Sequence, residues 1–302
     1  MNEYFKWLVK LITKAIVMVI FIPLGIALTV AYISGKSGLS KLDGGEPTVA
    51  VITISDIIED SQEIVRLLYD QIENPKVQGI VLRINSPGGA VAPSQEIYQT
   101  VKKLKTRKPI VASMSAVAAS GGLYSALGAS KIFAAPGTLT GSIGVIIQIP
   151  NLSKITEKIG IEMQTIKSGE LKDVGNLFRE MTPTEKEFLQ KTIDQTKEQF
   201  YSAIIESRGI SRDKLLKFAD GRIILGSDAK DFGLVDEIGD LYEAAREVFL
   251  LLGQPLEEGK YPKLYEPTDK LIDIKQLLKS LSFLPAISVK RGIRLMYLSD
   301  LG

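Results

Sequence analysis

Three short apolar runs, TVAVITI (48–54), GIVLRIN (79–85) and PIVASMS (109–115), alternate with two stretches whose apolar residues recur at helical spacing, SQEIVRLLYDQIENP and PSQEIYQTVKKLKT. Nearly continuous β-branched runs of this length suit strands buried on both faces, and two-sided burial belongs to parallel sheets covered by helices. Strand and helix in alternation therefore predict right-handed βαβ units in a layered α/β domain. Further strands are predicted at KIFAAP (131–136), SIGVIIQI (142–149) and IEMQTIKSG (161–169). A long helix is predicted from Thr182 to about Ser207, opened by Thr-Pro with Glu185 in its first turn. SRDKLLKFA and DLYEAAREVFLLLG read as two more helices.

The 302-residue chain contains no histidine and no cysteine. Ser-His-Asp and Cys-His catalysis, disulfides and zinc ligation by imidazole or thiolate are thereby excluded. A formal net charge of +2 gives no reason to expect nucleic acid as a partner. Neither a phosphate loop, a paired-carboxylate site nor a metal-ligand cluster stands out, so no metal or organic cofactor is expected.

From Ala15 to Ile33 nineteen residues pass without a charge, long enough to span a bilayer. Lys6, Lys10 and Lys14 precede the segment, and Trp7 and Tyr32 sit where interfacial aromatics belong; beyond it, Lys36 and Lys41 are diluted by Asp43 and Glu46. The positive-inside rule predicts a cytoplasmic N-terminus, with everything after residue 36 on the other side of the membrane. ALTVAYISG offers a poor small-x-small site, which favours an anchor over a cleaved signal peptide. The expected organisation is a cytoplasmic N-terminus and anchor (1–36), a Gly/Ser-rich linker (37–47), an α/β domain (48–253) and an amphipathic tail (254–302). The tail ends basic and apolar, and three placements stay open: on a membrane surface, capping a neighbouring subunit, or docked on its own domain.

Two turns in successive βαβ units are candidates for chemistry. INSPGGAV (84–91) lies where a strand hands over to a helix, and its Pro-Gly-Gly turn leaves backbone N–H groups bare, as an oxyanion site requires. The same residues also make an ordinary tight turn. SAVAASGGLYSALGAS (115–130) follows the next strand and places Ser120 at the start of a helix. It is either a nucleophile or part of a tightly packed small-residue helix. Adjacent parallel strands bring their C-terminal ends side by side, where ligands bind. Without histidine, the available base is a lysine kept neutral by burial. IKSGELKD (166–173) supplies Lys167 and Lys172, and spacing alone distinguishes neither.

In this order, LRINSPGGAV, SMSAVAASGGLYSA, GTLTGSIGV, IKSGELKD and GRIILGSDAKDFGLVDEIG resemble the bacterial signal peptide peptidases, also called protease IV. The resemblance spans roughly residues 47 to 253. It implies the layered fold shared by Clp-type proteases and crotonases, and a membrane-anchored Ser-Lys endopeptidase of the short form that degrades signal-peptide remnants and other apolar segments. By resemblance, Ser120 is the nucleophile, Lys172 the general base with Lys167 a poor substitute, and Ser142 the serine that hydrogen-bonds the lysine amine. Gly88, Gly89 and Gly121 correspond to the oxyanion and substrate-binding turn. The short form also implies a homo-oligomeric ring, an octamer, with serine and lysine contributed by neighbouring subunits. Leu123 stands where many relatives have an aromatic residue. Two rivals share the fold: a crotonase-like acyl-CoA enzyme, against which the anchor and IKSGELKD argue, and an inactive membrane-tethered scaffold, against which intact Ser120, Lys172 and Ser142 argue.

Overall fold

The computed structural model describes residues 48–267 and the backbone of 296–298, with Trp7, Lys10 and Leu11. The expected anchor and linker lie outside the described residues. Among the described residues no helix is long and apolar enough to cross a membrane. The elements below belong to one compact unit.

The first βαβ units run as the apolar pattern predicts: β1 (Thr48–Ser55), α1 (Gln62–Glu73), β2 (Gly79–Ser86), a short β3 (Gly88–Ala90), α2 (Val91–Leu104), β4 (Ile110–Ala118) and α3 (Gly121–Ala126). β1, β2 and β4 pair in parallel. Their alternate residues serve two cores. Ala50, Ile52, Ile54, Ile80, Leu82 and Ile84 pack with Leu68 and Ile72 of α1 and Ile97, Tyr98 and Val101 of α2. Val49, Val51, Val81 and Val111 face the other way, against Ala244, Ala245, Val248 and Phe249 of α8 (Leu241–Leu251). A helical layer therefore lies on each face of the sheet. Cutting a buried Leu or Ile in either core to Ala costs about 2–5 kcal/mol.

β4 branches at its end. Residues Val111 to Met114 pair with β5 (Lys131–Ala134), which pairs with β8 (Glu237–Ile238), while Val117 pairs with β6 (Leu139–Gly141). The only antiparallel pairing in this sheet among the described residues joins β6 to β7 (Ile223–Leu225). β9 (Lys263–Tyr265) adds in parallel to β1, so the sheet takes in chain beyond residue 253. β10 (Met296–Leu298), from the tail, pairs antiparallel with β3.

The long helix, α5 (Pro183–Arg208), begins and ends close to the predicted bounds. Thr182 and Glu185 form a reciprocal capping box, and Gly209 closes the helix at φ 64°. Before it lie α4 (Ser153–Lys158) and a 3-10 turn (Glu170–Asp173); after it lie α6 (Arg212–Leu215), shorter than expected, and α7 (Gly226–Phe232). Two predicted strands are absent. SIGVIIQI (142–149) leaves the sheet because Gly141 and Ser142 both have positive φ, 75° and 49°, which turns the chain away after β6. IEMQTIKSG (161–169) is exposed throughout, and among the described residues no strand pairs with it to complete its backbone hydrogen bonds.

Candidate active site

Ser120 sits between the end of β4 and the start of α3, at φ 52° and ψ −115°. A non-glycine residue with positive φ on a sharp strand-to-helix turn is strained, and the surroundings must hold it there. They do so from three sides. Ser120 N–H donates to Gly141 O (2.8 Å), Ala119 N–H to Ser86 O (3.1 Å), and Tyr124 N–H to Ser120 O (2.9 Å). Behind the turn, Tyr124 packs edge-on to Tyr98 and tilted against Phe200, with ring centroids 5.3 and 4.8 Å apart. Burial pushes the Tyr124 hydroxyl up to about 12. Ser120 is fully buried, and its Oγ is the buried side-chain polar atom left without a hydrogen-bond partner among the described residues.

The Pro-Gly-Gly turn lies directly beside it. Ile58 N–H donates to Gly88 O (2.9 Å) and Ala90 N–H donates to Ile58 O (2.7 Å), so Gly88 and Ala90 present these groups to the 56–58 segment. By strand alternation the N–H and C=O of Gly89 face the opposite edge, the one along which β10 pairs. Gly88 N–H is engaged by Ser86 Oγ at 3.1 Å. Gly89 has to be glycine: a Cβ there would stand 2.2 Å from Ile58 O. A Cβ on Gly121 would stand 3.1 Å from Gly89 N and 2.5 Å from Ser94 Oγ, which measures how closely the donor turn and the serine turn approach. This is the juxtaposition at neighbouring strand ends that the two sequence turns predicted.

Ser142 follows Gly141, whose carbonyl holds Ser120, and donates its own N–H to Arg222 O (2.8 Å). Asp56, Ser120 and Ser142 are the non-glycine residues with positive φ among those described. All three flank one site, the pattern expected where strain is retained for function.

The lysines lie elsewhere. Lys172 is exposed on the 3-10 turn, and since Ser120 Oγ has no partner, Lys172 of the same chain does not hydrogen-bond it. Lys167 is committed to Asp173 Oδ1 (2.6 Å) and Glu170 O (2.9 Å). Asp173 also accepts from Arg179 Nε (3.1 Å), and Arg179 bonds both carboxylate oxygens of the buried Glu185. Lys167 first and Arg179 second hold the Asp173 carboxyl well below the usual carboxylate range; Arg179 brings Glu185 down to about 2.

The profile of peptidase family S49 matches residues 102–253, which carry Ser120, Ser142 and Lys172. The chain belongs to peptidase family S49. It is accordingly a serine-type peptidase, a hydrolase. A Synechocystis protein named as a candidate protease is 40% identical over 196 residues, 65% of this chain and 71% of its own length. The Arabidopsis thaliana chloroplastic serine protease SPPA is 35% identical over 216 residues, 71% of this chain and 31% of its own length. An Enterococcus faecium protein named as a candidate signal peptide peptidase SppA is 39% identical over 168 residues, 55% of this chain and 49% of its own.

Two features of this S49 site escaped the sequence reading. Ser86 and Asp56 lie within hydrogen-bonding reach of the donor turn, and the signal for Ser86 was its place before Pro-Gly in NSPGG, where a serine side chain readily bonds the turn backbone. Asp56 had a weaker signal: Asp tolerates positive φ at strand ends.

Proposed function

We propose that this S49 peptidase is a membrane-anchored endopeptidase that cuts cleaved signal peptides and other apolar segments with a Ser120–Lys172 dyad. The observation that carries the reading is the buried, unpartnered Ser120 Oγ set beside the backbone of Gly89 and Gly121. A neutral Lys172 accepts the hydroxyl proton as Oγ attacks the scissile carbonyl, and Ser142 orients the amine. The N–H groups of Gly89 and Gly121 hold the oxyanion, and the lysinium then protonates the leaving amine. Water releases the acyl-enzyme by the same path in reverse.

The lysine comes from a neighbouring copy in a closed homo-oligomeric ring. Two facts support this: Lys172 is exposed in its own chain, and the segment around it carries exposed Ile155, Ile159, Ile161, Met163 and Ile166. Binding of an extended peptide is supported by the β3 edge, which accepts an antiparallel strand in β10. The anchor over 15–33 ties the chain to the lipid bilayer with the catalytic domain on the extracytoplasmic side.

Purified full-length protein in detergent, given an apolar leader peptide and in parallel an acyl-CoA thioester, tests the reading. Cleavage of the peptide alone, lost in Ser120→Ala, is expected. Thioester turnover without peptide cleavage would favour the crotonase-like alternative, and turnover of neither would favour the inactive scaffold.

A further inference from the structure

One buried side chain joins the two halves of the site. Ser86, at the end of β2, is fully buried. Its hydroxyl donates to Asp56 O at 2.5 Å and accepts from Gly88 N–H at 3.1 Å. Its carbonyl accepts from Ala119 N–H at 3.1 Å, one residue before the nucleophile, and a Cβ on Gly122 would stand 2.8 Å from that same oxygen. The β2–β4 register makes this meeting possible. Ile84 pairs with Met114 but Ser86 pairs with Ala118, so β4 bulges and delivers Ala118 beside Ser86.

We propose that Ser86 is the positioning residue of the oxyanion site: its side chain sets the Gly88–Gly89 turn while its main chain sets the Ser120 turn, and the distance between them is fixed through this one residue. The inference rests on the Ser120 reading above. With the hydroxyl donated to Asp56 O and its lone pair taken by Gly88 N–H, the first glycine cannot rotate. Ile58 clamps Gly88 O and Ala90 N–H from the other side, so the N–H of Gly89 is aimed at the opposite edge, the one along which β10 pairs. Removing the hydroxyl frees Gly88 N–H and Asp56 O and lets the turn relax, without touching the Ser120 hydroxyl or the strand edge that binds peptide. Loss of donor geometry weakens transition-state binding far more than ground-state binding.

The test is Ser86→Ala in the full chain, with Ser113→Ala as control. Ser113 is equally buried and bonded to Arg83 Nη1 at 2.7 Å, so its loss reports the effect of deleting any buried serine. Rates are expressed per site titrated by a fluorophosphonate, so that misfolded protein does not count. The expected result for Ser86→Ala is a kcat lower by roughly a hundredfold, the scale of an ångström-sized misplacement, with KM changed little. A peptide aldehyde, whose hemiacetal oxygen enters the oxyanion site, should lose affinity by the same factor, while a product peptide binds as before. Ser113→Ala should leave all of these unchanged. Should Ser86→Ala not fold, Ser86→Cys keeps the volume, weakens both bonds and is read on the same criteria. An unchanged kcat per titrated site, or equal losses for aldehyde and product peptide, would overturn the positioning role. If instead wild type forms no aldehyde adduct at Ser120, the Ser120 reading itself has failed.

Discussion

Ser120 donates its backbone N–H to the carbonyl of Gly141 at 2.8 Å, yet its own hydroxyl has no partner among the described residues of the chain that positions it. The backbone is tied down on behalf of a side chain that the fold leaves unsatisfied. A buried hydroxyl without a partner costs about 1–3 kcal/mol. Ser120→Ala should therefore abolish turnover while leaving the protein as stable as wild type or more so, by about 1 kcal/mol or somewhat above. Denaturant unfolding of the two proteins checks this. A clear loss of stability in the alanine variant would mean that the hydroxyl has a structural partner.

The closeness of the two turns makes Gly121 the sharpest steric probe. A methyl there meets Ser94 Oγ at 2.5 Å and Gly89 N at 3.1 Å. Gly121→Ala should lower kcat by about 10²–10³, the scale of losing one oxyanion donor. Steady-state kinetics on an apolar peptide, with rates per labelled site, is the measurement.

Much of this arrangement was legible from the residues. The strands β1, β2 and β4 and the helices between them followed from apolar runs and helical spacing, because burial on both faces leaves little room for polar residues. The Gly88–Gly89 and Ser120 turns followed from their positions at adjacent parallel strand ends. Two predicted strands did not form, each for its own local reason. SIGVIIQI has strand composition, but positive φ at Gly141 and Ser142 turns the chain out of the sheet, and single-residue φ does not show in periodicity. IEMQTIKSG has strand character too, and among the described residues no strand pairs with it. The place of Lys172 was not legible either. The burial its chemistry requires is not supplied within this chain, where Lys172 is exposed.

The turn bearing Lys172 is held by charge. Arg179 bridges Asp173 and the buried Glu185, whose carboxyl is brought down to about 2. A carboxylate depressed on folding stabilises fully above its ordinary value near 4.5, and that contribution is lost as pH falls toward about 2. Arg179→Gln should remove this acid window and cost about 1–3 kcal/mol near neutrality, because Glu185 stays buried without its cation. Unfolding curves from pH 7 to pH 2 check both effects. Coincident curves for the two proteins would show that the bridge contributes nothing.

If the lysine reaches Ser120 from a neighbouring copy, two dead variants should repair each other. Co-assembled Ser120→Ala and Lys172→Ala protomers bring some intact serines against intact lysines, and part of the activity should return. Co-assembly shown by pull-down, with no recovery, would place both residues in one chain.

Which residue is acylated, and what that step needs, decides the chemistry of the site. Wild type treated with a fluorophosphonate and mapped by peptide mass spectrometry should carry the label on Ser120. Ser120→Ala should carry none. Lys172→Ala and Lys172→Arg should label far more slowly, because neither alanine nor a guanidinium accepts the hydroxyl proton. Label on any other residue, or labelling of Lys172→Ala at the wild-type rate, would contradict the Ser120–Lys172 dyad.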